Sequence, residues 1–378
     1  MKHLLSERMR GIEKTLLRQI HDRADSSCIN LGLGELLFPT PESILNYIRE
    51  RIDSWKLGYT PNAGLQELRN LVAKNSGLLV KPDQICITAG AEEALFSAVM
   101  IIINSGDEVL IPNPGFPAYE SIVKIAGGVP KDYPLHRENN FSVKYEDIES
   151  NITDKTKAII LNSPNNPTGA IYSSEELMKL AKLIEQRSII AISDEVYREI
   201  YFEKRPDSIA HYSQNCVVID SISKSFSMTG WRLGWCIAPL ELSKAFTNFH
   251  QLAVTCAPTI SQQAAIFALK GFAEEEKSRY IEELQKRRAF AMSCVEKYTD
   301  LKCVKPLGAF YLFVDIANKM STHGNSLDIS LNLLSKEKVV TIPGLAFGTG
   351  GEGYLRISFA PSPEEIEEGI KRIGVRLA

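Results

Sequence analysis

Between residues 84 and 219 the hydrophobic positions fall in short, nearly unbroken runs, and the segments between several of them show helical periodicity. Runs at 84–88, 108–111, 158–161, 189–192 and 216–219 have the length of buried strands. Segments 92–103, 118–126 and 174–186 read as helices. Strands alternating with helices predict an α/β fold, a mostly parallel sheet with helices on both faces. Upstream, 41–51 and 65–76 read as helices, the first with Pro41 in its opening turn. After residue 273 the rhythm changes. A long amphipathic helix at 274–298 precedes strands at 301–304, 309–315 and 354–358, a helix near 327–336 and a closing helix at 364–372. This part predicts a smaller α+β domain. The expected division is a polar, partly helical arm at 1–25, a small domain built from 26–45 and 275–378, and a large α/β domain at 46–274.

Composition narrows the function classes. Hydrophobic residues make up 44%, charged residues 24%, and the net charge is −3. That balance excludes a strongly basic nucleic-acid binder and gives no attraction to anionic membranes. The longest apolar block, Ala94 to Ile103, is short for a membrane span and is interrupted by Ser97. Met1 to Arg8 carry no signal-peptide core. Seven cysteines, an odd number without Cys-x-x-Cys spacing, argue against a disulfide framework and for a reducing compartment. Six histidines show no paired-ligand spacing, so no metal is expected. The chain reads as a soluble cytoplasmic protein without nucleic-acid or membrane partners.

The unusual residues cluster just past the carboxyl ends of the expected strands, the edge where open α/β sheets bind ligands. Lys224 follows an apolar run, with Ser221 and Ser223 before it and Arg232 eight residues on. A lysine there is either a solvated turn residue or a covalent anchor for an aldehyde cofactor, with Ser221 and Arg232 as ligands of a phosphate on that cofactor. Gly90-Ala91-Glu92 opens a helix, and free N–H groups at such a turn can hold a phosphate. It lacks the Gly-Lys-Ser ending of a nucleotide loop. Phe116, on a rigid Pro-Gly loop, can pack in the core or stack on an aromatic ligand. Asp194 ends an uncharged strand, so it is either salt-bridged or partner to a pyridinium nitrogen. In the second case Tyr197 and Asn166 could donate to a ring phenolate oxygen. Gly32 and Gly34 do not make a dinucleotide fingerprint and are better explained by close backbone approach. Tyr59, read alone, is a packed loop aromatic.

Together these residues resemble the class I, fold type I aminotransferases that depend on pyridoxal phosphate. The Ser-x-Ser-Lys segment from Ser221 to Arg232, Asn166-Pro167-Thr168-Gly169 and Asp194 to Tyr197 match the family's motifs. The similarity runs from about Ile29 to the C-terminus. It implies pyridoxal 5′-phosphate on Lys224, with Gly90, Ala91, Glu92, Phe116, Asn166, Asp194, Tyr197, Ser221, Ser223 and Arg232 around it. It further implies Arg356 and Asn166 on the substrate α-carboxylate, Gly34 in a turn closing over it, and Tyr59 reaching the phosphate of a neighbouring subunit in a homodimer. The implied activity is ping-pong transfer of an amino group from an L-amino acid to a 2-oxo acid, with Lys224 as general base.

Two departures bear on specificity. The family often reads Gly-Glu-Pro-Asp-Phe where this chain has Gly34-Glu35-Leu36-Leu37-Phe38, and some aspartate-preferring relatives have lysine where Glu92 stands. Broad use of neutral or aromatic donors is therefore expected, with 2-oxoglutarate accepted through an arginine that the motifs do not identify. The alternatives are an aspartate aminotransferase and a carbon–sulfur β-lyase. Lyase relatives tend to carry histidine in place of Tyr197. A transcription regulator built on this scaffold needs a DNA-binding domain, and about 25 residues ahead of the fold leave no room for one.

Overall fold

The computed structural model describes residues 6–378, so the first five residues of the expected arm lie outside the described residues. Seven strands form one sheet in the spatial order Ile85–Thr88, Gly234–Ile237, Cys216–Ser221, Ile190–Asp194, Thr156–Asn162, Glu108–Asn113, Val129–Pro134. Neighbours run parallel except around Gly234–Ile237, which is antiparallel to both strands beside it. All five expected runs belong to this sheet.

Of the two unexpected strands, Val129–Pro134 lacks an apolar run, whereas Gly234–Ile237 carries a short one, Trp235-Cys236-Ile237. Val129–Pro134 contains two prolines, a lysine and an aspartate, a composition that only a sheet edge tolerates, and it is an edge strand. Gly234–Ile237 starts on a glycine that cannot be larger, because a Cβ at Gly234 would lie 2.6 Å from the Ala91 nitrogen. Both faces of the sheet are covered. Ala158 and Ile160 point to one side, towards Val99, Val123 and Phe246. Ile159 and Leu161 point to the other, towards Leu180 and Ile184. The near-continuous apolar character of the runs follows from this double burial.

Helices Glu42–Arg51, Gln66–Asn75, Ala91–Ile102, Ala118–Ile125 and Ser174–Gln186 lie within about a residue of the expected segments. Leu240–Val254 and Thr259–Phe267 were not expected, and the arm forms a short helix, Leu16–His21. Beyond residue 273, Glu274–Tyr298 and Pro363–Leu377 pack Leu284, Ala291, Val295, Ile366 and Ile370 onto a four-stranded antiparallel sheet. Its order is Ile342–Pro343, Tyr354–Ser358, Tyr311–Asp315, Lys302–Cys303. The expected helix near 327–336 is α-helical only over Ser326–Asn332 and then widens into a π turn. Within Tyr354–Ser358, Leu355 and Ile357 face the helices, so the alternation turns Arg356 to the opposite side. Ile29–Asn30 pairs in parallel with Val339–Val340, and a Cβ at Gly32 would meet Val340 at 2.9 Å. Among the described residues, no helix is long and apolar enough to cross a membrane.

Candidate active site

The loops leaving five strands of the large sheet converge with the helix Leu16–His21 on a cavity of about 650 Å³. Of the residues singled out in the sequence, Gly34, Ala91, Glu92, Phe116, Asn166, Asp194, Tyr197, Ser221, Ser223, Lys224, Arg232 and Arg356 line it. Gly90 stands behind the wall, with φ +96°, where a Cβ would lie 2.7 Å from an Arg232 nitrogen. Only glycine lets the guanidinium press against this turn. Tyr59 is not brought to the cavity of its own chain: it is 87% exposed.

Lys224 Nζ donates to the Gly34 carbonyl at 2.6 Å. Burial brings the lysine down to about 8, assisted by Arg356 and Arg232 and opposed by Glu35 and Asp194. A substantial neutral fraction at mildly alkaline pH gives a nucleophile and a base. Asp194 is buried, and desolvation lifts its carboxyl to about 6 against the bonds from Tyr119 and the Val196 amide. Among the described residues it makes no ion pair. Such a carboxyl calls for a cationic partner on the cavity side.

At one end of the cavity, Ala91–Ile102 points its N-terminus inward, with Ser221, Ser223 and Arg232 beside it. Arg232 donates to the Thr229 carbonyl at 2.9 Å and has no carboxylate partner among the described residues. Helix N–H groups, hydroxyls and an unneutralised guanidinium together suit a phosphate. The turn is braced from behind. Glu93 accepts from the Ala89 amide at 2.5 Å and from buried His250 at 2.6 Å.

At the other end, Arg356 is fully buried. Its Nη1 donates to Asn166 Oδ1 at 3.0 Å and its Nη2 to the Gly32 carbonyl at 2.6 Å, while Nε has no partner. The guanidinium lies 4.3 Å from the Tyr311 ring centroid and 5.1 Å from that of Phe347. Burial pushes its pKa below the ordinary arginine value. A buried cation held by neutral acceptors and rings, without an anion, is a ready carboxylate site.

Several cavity residues were missed by sequence reasoning. Tyr119 lies inside the helix Ala118–Ile125, where its apolar spacing hides its hydroxyl. Tyr311 sits in a strand expected to be core, yet its hydroxyl lies 3.0 Å from that of Tyr197. Leu17, Arg18, His21 and Asp22 come from the arm, which carries no motif. No group of three or more His, Cys, Asp or Glu suited to a metal occurs among the described residues.

Comparison with known proteins agrees with this geometry. The profile of aminotransferase class I and II matches residues 26–373. The probable aspartate aminotransferase of Methanocaldococcus jannaschii is 38% identical over 97% of this chain and 98% of its own. The aromatic aminotransferase of Pyrococcus horikoshii superposes with a TM-score of 0.89 at 36% identity, covering 96% of this chain and 98% of its own. The aspartate aminotransferase of Thermus thermophilus, solved with maleate, gives 0.93 at 30% identity over 99% of both chains. These enzymes share the fold type I architecture of a mostly parallel sheet between helices. A profile match across nearly the whole chain, together with relatives of this similarity, shows that the chain belongs to the class I and II aminotransferase family and is an aminotransferase.

Proposed function

We propose that this aminotransferase works with pyridoxal 5′-phosphate on Lys224 and moves amino groups between a broad set of neutral or aromatic L-amino acids and 2-oxo acids. The observation that carries the reading is the presence on one cavity of two buried charged groups without a counter-ion among the described residues, Asp194 without a cation and Arg356 without an anion. The family depends on pyridoxal phosphate in general, and the residues present fit it. Gly90 is kept free of a Cβ beside Arg232. Ser221, Ser223, Arg232 and the amides of Ala91 and Glu92 would hold the phosphate, Phe116 would lie on the ring, and Tyr197 with Asn166 would bond its oxygen.

When bound, the cofactor supplies an aldehyde and an electron-withdrawing ring. The chain's own residues supply the rest. Asp194, held by Tyr119, would face the ring nitrogen and favour its protonated form. Arg356 and Asn166 grip the α-carboxylate, which fixes the direction of the Cα–H bond. Lys224 Nζ, low in pKa and inside the cavity, removes the α-proton and returns it. The Gly34 carbonyl orients that amine.

The same reading includes a homodimer in which Tyr59 serves the partner's site. Tyr59 belongs to a set of exposed apolar residues that also includes Leu57, Leu252 and Val254. The two segments are joined by bonds from Asn62 to the Thr255 carbonyl and from Thr259 to the Gly58 carbonyl. A contiguous apolar face of this kind suits a second copy of the chain. The proposed division into an arm at 1–25, a small domain (26–45 and 275–378) and a large domain at 46–274 is supported by the separation of the two main sheets along the chain.

The direct test adds single amino acids to the cofactor-loaded protein and follows its absorption, then maps the borohydride-reduced peptide. The expected result is conversion of the aldehyde to the amine form, with the label on Lys224. A label on another lysine would overturn the assignment.

A further inference from the structure

Among the described residues four lysine or arginine side chains line the cavity, and the proposed function employs three: Lys224, Arg232 and Arg356. The fourth is Arg18, on the helix Leu16–His21. We propose that Arg18 reads a second, distal carboxylate on the substrate, so that the site accepts dicarboxylic 2-oxo acids as well as apolar ones. The inference rests on Arg356 being the α-carboxylate ligand, as argued above.

The first support is position. The helix carrying Arg18 is docked against the anchor of Arg356. His21, one turn after Arg18, lies with Nε2 3.2 Å from the Gly32 carbonyl, the oxygen that also accepts Arg356 Nη2. One carbonyl thus holds both the guanidinium for the first carboxylate and the helix that presents Arg18. The side chains at 17, 18, 21 and 22 all face the cavity, a spacing that follows from one helical face.

The second support is charge. Arg18 faces Asp22 at 3.2 Å, but Asp22 is shared with Lys14 at 2.5 Å. Two cations on one carboxylate leave this rim with a net positive charge. The other acids of the cavity are Glu35, which accepts from Thr229 at 2.9 Å, Glu92 at the opposite helix, and Asp194 in the floor. Among the described residues, the cation of the cavity left for a distal carboxylate is therefore Arg18, whose one carboxylate partner, Asp22, is shared with Lys14. The third support is the remaining wall. Leu17, Leu33, Leu95 and Phe116 are apolar, so an uncharged side chain is accommodated without Arg18, whose side chain is 68% exposed and can remain in solvent beside Asp22.

The test uses full-length, cofactor-loaded protein with one fixed amino donor and two acceptors, 2-oxoglutarate and phenylpyruvate. Calorimetric titration with maleate, an unreactive dicarboxylate, accompanies the kinetics. In Arg18→Gln the ratio of kcat/KM for 2-oxoglutarate over phenylpyruvate should fall about tenfold, and maleate should bind about tenfold more weakly, the size expected for one hydrogen-bonded charge. Arg18→Lys should retain part of both. Asp22→Asn removes the competing carboxylate and should move both measurements the other way. Equal changes for the two acceptors in Arg18→Gln, or an unmoved maleate affinity, would overturn the proposal. If the wild-type protein transferred amino groups to neither acceptor, the broader reading of its substrates would fall, while the maleate titration would still decide the role of Arg18.

Discussion

The Tyr119 hydroxyl donates to Asp194 Oδ2 at 2.7 Å, in a site where both side chains are almost fully buried. Among the described residues this is the only side-chain bond on a carboxyl that burial already lifts to about 6. In Tyr119→Phe the carboxylate loses a charge-assisted bond worth about 1.5–3 kcal/mol, and its ionisation becomes harder. The pH below which the protein releases its cofactor should therefore move upward. Dialysis across a pH series, read by cofactor absorbance, checks this; superimposable curves for the variant and wild type would show that the bond has no such role.

Asp194 also links function to stability. Its folded pKa stands above the ordinary 3.8, so between pH 4 and 6 the unfolded chain releases a proton that the folded apo-protein keeps. Stability of the apo-protein then falls as pH rises through this window, by roughly 3 kcal/mol for a shift of this size, and stays lowered above it. Asp194→Asn lacks the titration. At pH 8 the apo-variant should melt higher than the apo-wild type, while its retention of cofactor is lost. A lower melting temperature at pH 8 would contradict the sign.

Why some of this was legible in the sequence is a matter of burial. Strands covered on both faces must be apolar throughout, so Cys216–Ser221 and Ile190–Asp194 announced themselves, and so did the polar residues that end them. Val129–Pro134 did not, because an edge strand with one solvated side has no apolar run to show. The site follows the same logic. Lys224, Asp194 and Asn166 lie in loops, where a charged or amide residue beside a buried strand stands out. Tyr119 and Tyr311 are aromatic residues inside regular elements, and their spacing is that of core residues whether or not the hydroxyl is used. Arg18 sits in a short polar helix whose charges look like any solvated surface. What brings it to the cavity is the long-range bond of His21 to Gly32, which no local pattern encodes.

Covalent loading of the apo-protein should report Lys224 directly. Only the neutral amine attacks an aldehyde, and burial sets its pKa at about 8 instead of the ordinary 10.5. The loading rate should level off above about pH 8 and fall about tenfold for each unit below it. Stopped-flow mixing with pyridoxal phosphate measures the profile. A midpoint near 10.5 would mean that the cavity does not desolvate the lysine as described. Lys224→Arg should load nothing covalently.

The exposed Tyr59 makes a prediction about assembly. If it completes the partner's site, Tyr59→Phe and Lys224→Ala subunits mixed into a heterodimer should recover one working site, because one interface then carries both an intact lysine and an intact tyrosine. Activity of the mixture above the sum of its parents is the readout. A dilute, demonstrably monomeric sample that kept full activity would rule the arrangement out.

The last prediction concerns the amino donor. In the proposed site Arg356 holds the carboxylate common to all amino acids, so selectivity must arise beyond it. A site built around a fully buried partner for a second charge rejects neutral analogues by about 10⁴ or more, whereas an apolar pocket discriminates by about 10–200-fold. The rest of the cavity lining is of mixed character. Leu17, Leu33, Leu95 and Phe116 offer apolar surface, Glu92 sits at the phosphate turn where it repels a second carboxylate, and Arg18 attracts one from a solvent-exposed position shared with Asp22. An exposed, already paired guanidinium contributes about tenfold, not thousands. The donor profile should therefore be broad. Measured as kcat/KM, aspartate against phenylalanine, methionine and alanine should differ by less than about a thousandfold, with the aromatic donor among the better substrates. An aspartate advantage beyond that limit would require a buried cation dedicated to the distal carboxylate, contributed to this cavity from outside the single chain.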